Sequence, residues 1–318
     1  MWKALVKKRF FIFALIAVVV LSIVGPILPR YYTQLLTLTL ITALFATSLN
    51  IEIGYAGMMP LGQATFYGLG AYSFGLLVIK AHLPIFPAVI CGLLISMIIS
   101  VIIGYLCIRR NLFIFGLLHL AFNIVFITLV SKWVNLTGGS SGFTATLRPA
   151  FLSSYVSFYF FVLVMVVVAY AIIKILVESP FGKIAQGMRE NEERLNFLGV
   201  NTKRFQLVLF VASGFFAALA GVLLAMNNNG IYPAYFALTV SVQGLMMVII
   251  GGMYFFIGPT LGALLVTIFS TEVSNFTSYW QGWLGVVMVI WVTRFKEGIL
   301  FRRQSKASKK IPAIEMNK

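Results

Sequence analysis

Stretches of about 20 residues with hardly a charge recur along the whole chain, each long enough for a helix rising about 1.5 Å per residue to cross a hydrocarbon layer of about 30 Å. Lipid offers a bare backbone no hydrogen bonds, so these stretches must satisfy their amides internally, as helices rather than open strands. Composition agrees: of 318 residues, 60% are hydrophobic and 10% charged, against about 45–50% and 25% in an average soluble domain. Windows of about 19 residues place spans near 10–28, 33–52, 61–79, 85–107, 112–131, 155–176, 206–226, 238–256, 259–275 and 281–295. The expected fold is all-α, a polytopic transmembrane helical bundle of about ten spans. The third and ninth spans are short or glycine-broken, and a re-entrant form stays open for them.

Basic residues orient the bundle. Lys3, Lys7, Lys8 and Arg9 precede the first span; Arg109 and Arg110, the cluster from Lys183 to Arg204, and the tail from Arg294 to Lys318 then fall on the same side. The other side holds Arg30, Lys80, Lys132 and Arg148. Lys and Arg collect in cytoplasmic loops, so both termini are expected in the cytoplasm. The first run starts like a signal peptide, but "SIVGPILPR" offers no small-x-small cleavage pattern, and it reads as a retained span. This divides the chain into a transmembrane domain, 1–300, containing a cytoplasmic segment, 178–205, and a basic cytoplasmic tail, 301–318.

A net charge of +16 would suggest nucleic acid if it formed a stripe on a soluble face. Scattered between apolar runs it does not, and the expected partner is the lipid of the anionic inner leaflet. Cys91 and Cys107 lie about four helical turns apart in one run, too far to pair, and read as core residues. Two His, two isolated Cys and no Asp give no metal-ligand spacing. Paired acids and a nucleophile with its base are also missing, which argues against an enzyme and for a chain without cofactor. The NLT and NFT triplets at Asn135 and Asn275 match a glycosylation acceptor, a weak signal that means nothing in a bacterium.

One stretch, "LNIEIGYAGMMPLGQATFYGLGAY" (49–72), carries five glycines, a proline and Glu52. Gly54, Gly57 and Gly62 break it near its start, and Pro60 frees a carbonyl that protein or water must satisfy. Small residues let helices touch in lipid, and broken segments often line a pathway; tight packing and a gate both fit. A carboxylate within the membrane normally faces a cavity or partner, although Glu52 sits near the inner edge, where water is in reach. His119 and Asn123 share one face of the fifth span and, with Gln63, are candidates for the pathway or for hydrogen-bonded packing; Gln243 is a similar case.

The inner segment "ESPFGKIAQGMRENEERLNFLGVNTKRF" (178–205) reads as a helix from Gly182 to Leu198, opened by Ser-Pro and stopped at Gly199. It suits an amphipathic connector on the membrane surface or a docking helix for a soluble subunit. The longest outer connection is 131–154.

"SPFGKIAQGMRENEERLNFLGVNTKRFQLVLFVASGFFAALAGVLLA", with the glycine-rich stretch and "GGMYFFIGPTLGALL", resembles the permease subunits of branched-chain amino acid ATP-binding-cassette importers, a family that includes urea and amide permeases. The likeness runs from about Thr33 to Leu300. It implies a subunit without chemistry of its own, in a bacterial cytoplasmic membrane, paired with a homologous second permease. ATP would sit on separate cassette subunits, since the chain has no G-x-x-x-x-G-K-[ST] loop. An extracytoplasmic binding protein would deliver a small solute near 131–154. The resemblance makes 178–205 the coupling segment, with Arg189, Glu190, Asn191 and Glu192 as contacts and Gly199 as its terminator. It leaves Glu52, Gly57, Gly62, Gln63, His119 and Asn123 as pathway candidates. Met58, Pro60, Gln63, Glu52, Asn196, Phe197, Tyr254 and Phe255 depart from the family's pattern, which bears on the substrate rather than the fold. The competing reading is a stand-alone secondary transporter or channel, with Glu52 and His119 coupling to an ion; such a carrier has no use for a charged docking segment.

Overall fold

The computed structural model describes residues 19–294 except positions 24 and 278; most of the first expected span and the basic tail lie outside the described residues. Pro29 opens the first long helix, α1 (Arg30–Asn50), which runs into a π-helical turn at Ile51–Tyr55. After an irregular stretch come α2 (Ala64–Ile79), α3 (Ile85–Cys107) and α4 (Leu112–Lys132). A short α5 (Val134–Thr137) and a two-residue strand, β1 (Phe143–Thr144), lead to α6 (Tyr155–Glu178). Then follow α7 (Pro180–Glu190), α8 (Glu192–Phe197), α9 (Thr202–Asn228) and β2 (Gly230–Ile231). The described chain ends with α10 (Leu238–Gly251), α11 (Gly258–Phe276) and α12 (Trp280–Arg294).

Among the described residues five helices are long and apolar enough to cross a membrane: α1 with its π turn, α3, α4, α6 and α9. Helices α2 and α10 are apolar but shorter. The expected span 238–256 stops early, because Gly252 turns the chain at φ 102°, a backbone that residues with a Cβ rarely adopt.

Burial sorts the long helices. In α1 and α9, 78% of the apolar window is inside the protein, against 28–33% in α3, α4 and α6. The first two therefore form the centre, and the others turn most of their apolar side outward, as surfaces that face lipid or a partner do. Helix α9 reaches the centre through small residues: it packs on α1, α2 and α3, and a Cβ added at Gly221 would overlap the Tyr67 carbonyl. With little hydrophobic drive inside lipid, such backbone contact is what dispersion attraction needs. Helix α1 is rich in threonine, and its hydroxyls return to its own carbonyls: Thr37 to Thr33 and Thr39 to Leu35, both at 2.8 Å. Its other face belongs to a second apolar cluster, in which Ala43, Ala46 and Leu49 meet Met247 and Val248 of α10 and Ala263 of α11.

At the C-terminal end of α9, β1 pairs antiparallel with β2, Phe143 opposite Ile231. Arg148 donates to the carbonyls of Met226 at 2.7 Å and Asn227 at 2.5 Å, closing the C-terminal end of α9 where carbonyls lack helical partners. Burial and the neighbouring Arg30 hold its pKa below the usual guanidinium value.

Two expectations need correction. Cys107 is buried, but Cys91 is exposed on the outward side of α3. The inner segment is two helices, not one from Gly182 to Leu198. Asn191 takes an extended backbone (φ −162°, ψ 100°) and restarts the chain by accepting the Arg194 amide at 2.9 Å. The Ser-Pro start behaves as read, with Ser179 accepting the Gly182 amide at 3.3 Å, and Gly199 ends α8 at φ 82°.

Candidate functional site

The glycine-rich stretch is where α1 loosens. The π-helical turn closes with the Ala56 amide on the Ile51 carbonyl at 3.2 Å, and Gly57 at φ 71° swings the chain back toward α2. A π turn admits one extra residue per turn and often marks a functional position. Helix α2 begins without a side-chain cap of its own; the Ala64 amide donates instead to Ser241 Oγ of α10 at 2.9 Å. Gln63 Nε2 donates to Ser213 Oγ of α9 at 2.8 Å, and the Ser213 hydroxyl in turn donates to the Ser48 carbonyl of α1 at 2.7 Å. Asn123 of α4 donates to Thr65 Oγ1 and to the Phe236 carbonyl, both at 3.1 Å. A chain of polar groups thus ties α1, α2, α4, α9 and α10 together inside an apolar bundle.

Several members of this cluster stay unsatisfied. Both carboxyl oxygens of Glu52, both amide atoms of Asn50, Gln63 Oε1 and both ring nitrogens of His119 are buried without a hydrogen-bond partner among the described residues. Glu52 is 0% exposed, so it does not reach water at the inner edge; Ser213 is its polar neighbour, with its own proton committed to Ser48. The His119 ring lies among Phe66, Phe115 and Phe210, at centroid distances of 5.5, 6.0 and 5.1 Å. A Cβ at Gly62 would strike the His119 backbone. Buried polar atoms without partners each cost about 1–3 kcal/mol, and most of those among the described residues gather here.

A second break mirrors the first. Gly252 ends α10, residues 253–257 turn, and Gly258-Pro259 opens α11. The two breaks touch, since a Cβ at Gly54 would meet the Met253 carbonyl oxygen. Arg189, in the last turn of α7, meets both: its guanidinium donates to the Gly54 carbonyl and lies 4.8 Å over the Tyr254 ring, while its Cγ fills the space beside Gly57. One side chain of the inner segment therefore holds both loosened segments.

The remaining coupling candidates divide by direction. Glu190, Asn191 and Gly199 are exposed, whereas Glu192 is half-buried and accepts from Thr202 Oγ1 at 2.9 Å and Gln206 Nε2 at 3.2 Å. Sequence reasoning missed the most exposed apolar pair of the segment, Phe197 at 90% and Leu198 at 74%. Their place at the tip of a charged helix was the available signal. It also missed Ser213 and assigned no role to Tyr254, although the aromatic ring stood out where a small residue was expected.

Residues 31–292 match the family described as the permease component of the branched-chain amino acid transport system. Among curated proteins, the chain is similar to the high-affinity branched-chain amino acid transport system permease protein LivM of Escherichia coli, at 26% identity over 93% of this chain and 75% of that protein. A probable LivM of Methanocaldococcus jannaschii is 25% identical over 70% and 75%. The autoinducer 2 import system permease protein LsrC of Salmonella typhimurium is 22% identical over 89% and 84%. No solved structure matches.

Proposed function

The chain belongs to the family of permease components of branched-chain amino acid transport systems, and we propose that it carries branched-chain amino acids inward, driven by two cassette ATPases docked on α7 and α8. It is a membrane-embedded transport subunit of an ATP-binding-cassette importer rather than an enzyme. The substrate follows the LivM relatives; the LsrC relatives are named for a different solute, so the choice rests on the nearer likeness in sequence. The chain would lie in a bacterial inner membrane with about ten spans and both termini in the cytoplasm. A homologous permease would pair with it and an extracytoplasmic binding protein would feed it at 131–154.

The observation that carries the mechanism is Arg189 bridging the Gly54 carbonyl and the Tyr254 ring. ATPase closure moves the α7–α8 unit through its exposed tip, Phe197 and Leu198 with Glu190, and Arg189 passes the movement to both breaks at once. The breaks can answer because a π turn and two positive-φ glycines leave them few helical hydrogen bonds to lose. The unsatisfied cluster of Asn50, Glu52, Gln63 and His119 lies in and beside the first break, and Asn123 is held nearby by Thr65 and the Phe236 carbonyl. Opening would supply these groups with water or with the solute's ammonium and carboxylate, a differential interaction of the kind any state change requires. Gly57 and Gly62, lacking a Cβ, let Arg189 and His119 sit directly against the break.

Reconstitution of the complete importer in vesicles tests this reading. Uptake of leucine, isoleucine or valine should require the ATPase subunits and ATP; uptake by this chain without them would overturn it. A cysteine replacing Asn191 should react with a membrane-impermeant reagent only from the inner face.

A further inference from the structure

We propose that a cavity at the cytoplasmic end of α3 and α4 holds the headgroup of an anionic phospholipid and ties it to the coupling segment. The cavity has a volume of about 240 Å³. Its cations are Arg109 and Arg110 from the α3–α4 turn and Lys203 from the first turn of α9; its floor includes Met58, Phe115 and Gln206. The lone acid in the wall is Glu192, already held by Thr202 and Gln206. Among the described residues no carboxylate lies within ion-pair distance of Arg110 or Lys203, the recorded bridge being Lys174 to Glu178 at 3.8 Å. Three cations against one occupied carboxylate leave a net positive site that a phosphodiester would neutralise.

Lipid is the favoured source of that phosphate because of what flanks the cavity. Tyr105, Leu106, Leu112 and Phe113 turn outward beside it, Phe113 at 78% exposure, on two helices whose apolar windows are 28% buried. An acyl chain can lie along this surface while its headgroup enters the cavity, the arrangement expected for basic pockets between spans on the cytoplasmic side. Arg109 is steadied for that position, its guanidinium 4.0 Å over the Tyr105 ring. The first turn of α4, beginning in the cavity wall at Asn111 and Leu112, has no side-chain cap and adds free amides to the positive field.

The consequence is regulatory. The α3–α4 turn and the coupling segment share no ion pair among the described residues, so a bound headgroup would add a charged link to the packing between them. The sidedness rests on the orientation proposed above, but lipid retention is measured without transport, so the two can fail separately.

The test uses the purified importer complex incubated with equal amounts of phosphatidylglycerol and phosphatidylcholine, washed, and analysed by mass spectrometry for retained lipid. Retention should favour phosphatidylglycerol in the native protein. It should fall about fivefold in Arg110→Gln or Lys203→Gln and about twenty-fivefold in the double variant, since each surface cation contributes roughly a factor of five. Lys132→Gln, at the opposite end of α4, should change nothing. Size-exclusion chromatography checks folding, and the single variants carry the test if the double one fails it. Equal retention in native and variant proteins would overturn the proposal. So would displacement by millimolar inorganic phosphate with no preference between lipids, which would assign the cavity to free phosphate. Loss of the ATPase subunits from the variants with lipid retention unchanged would assign it to the protein partner instead.

Discussion

The guanidinium of Arg189, on the inner segment, donates to the backbone carbonyl of Gly54, 135 positions earlier in the chain, at the π-helical turn of α1. The same group lies over Tyr254 at the second break. A charged hydrogen bond of this kind is worth about 1.5–3 kcal/mol and a cation–π contact about 0.5–2 kcal/mol.

Arg189→Ala is therefore expected to lower the solute transported per ATP hydrolysed by about tenfold or more while leaving ATPase association intact. Arg189→Lys should recover only part, because an ammonium keeps the charge without the planar fork. In a double-mutant cycle with Tyr254→Ala the two losses should be non-additive by about 0.5–1 kcal/mol. Strict additivity in uptake would show that ring and guanidinium act independently.

Glu52→Gln should separate transport from stability. The fully buried carboxyl oxygens have no hydrogen-bond partner among the described residues, and a neutral isostere removes the cost of desolvating a carboxyl group there. Thermal unfolding of the purified complex should be unchanged or shifted upward while uptake falls. Uptake at the native rate and affinity would reduce Glu52 to a packing residue.

At the tip of α8, Phe197→Ser should weaken co-purification of the ATPase subunits by roughly 30-fold, the loss of a buried aromatic anchor worth about 2 kcal/mol. The side chain is 90% exposed, so the fold has nothing to lose. Undiminished association would move the docking face to Glu190 and Asn191.

Gly252→Ala places a Cβ on a backbone at φ 102°, at a cost of about 1–3 kcal/mol. The midpoint of thermal unfolding should drop by at least about 2–4 °C. Gly282→Ala in α12, with open space around it, should be neutral or slightly stabilising, because alanine is the better helix former. A matching drop in both variants would remove the special role of the break.

Hydropathy alone placed the five long apolar helices, because an apolar stretch in lipid has one way to satisfy its backbone, and that constraint is local. For the same reason the Ser-Pro start and the glycine stop at Gly199 were readable from their neighbours, whereas the stop at Gly252, inside an expected span of 238–256, was not. Burial was not. Threonine-rich α1 is less apolar than α3 (mean hydropathy 1.6 against 2.7), yet it lies at the centre and α3 at the rim. Lipid and protein interiors are equally oily, so apolarity does not tell which helix is inside; small residues and returned hydroxyls do, and only through their partners. Direction was equally hidden. Arg189 and Glu190 are neighbours in one charged run, one turned into the bundle and the other to water, because Asn191 ends the helix there and the breaks at Gly54 and Tyr254, distant in sequence, offer the guanidinium its partners. Sequence determined where the five long apolar helices run; tertiary packing decided which groups meet, since contacts between elements far apart in the chain leave no trace in the local pattern of either.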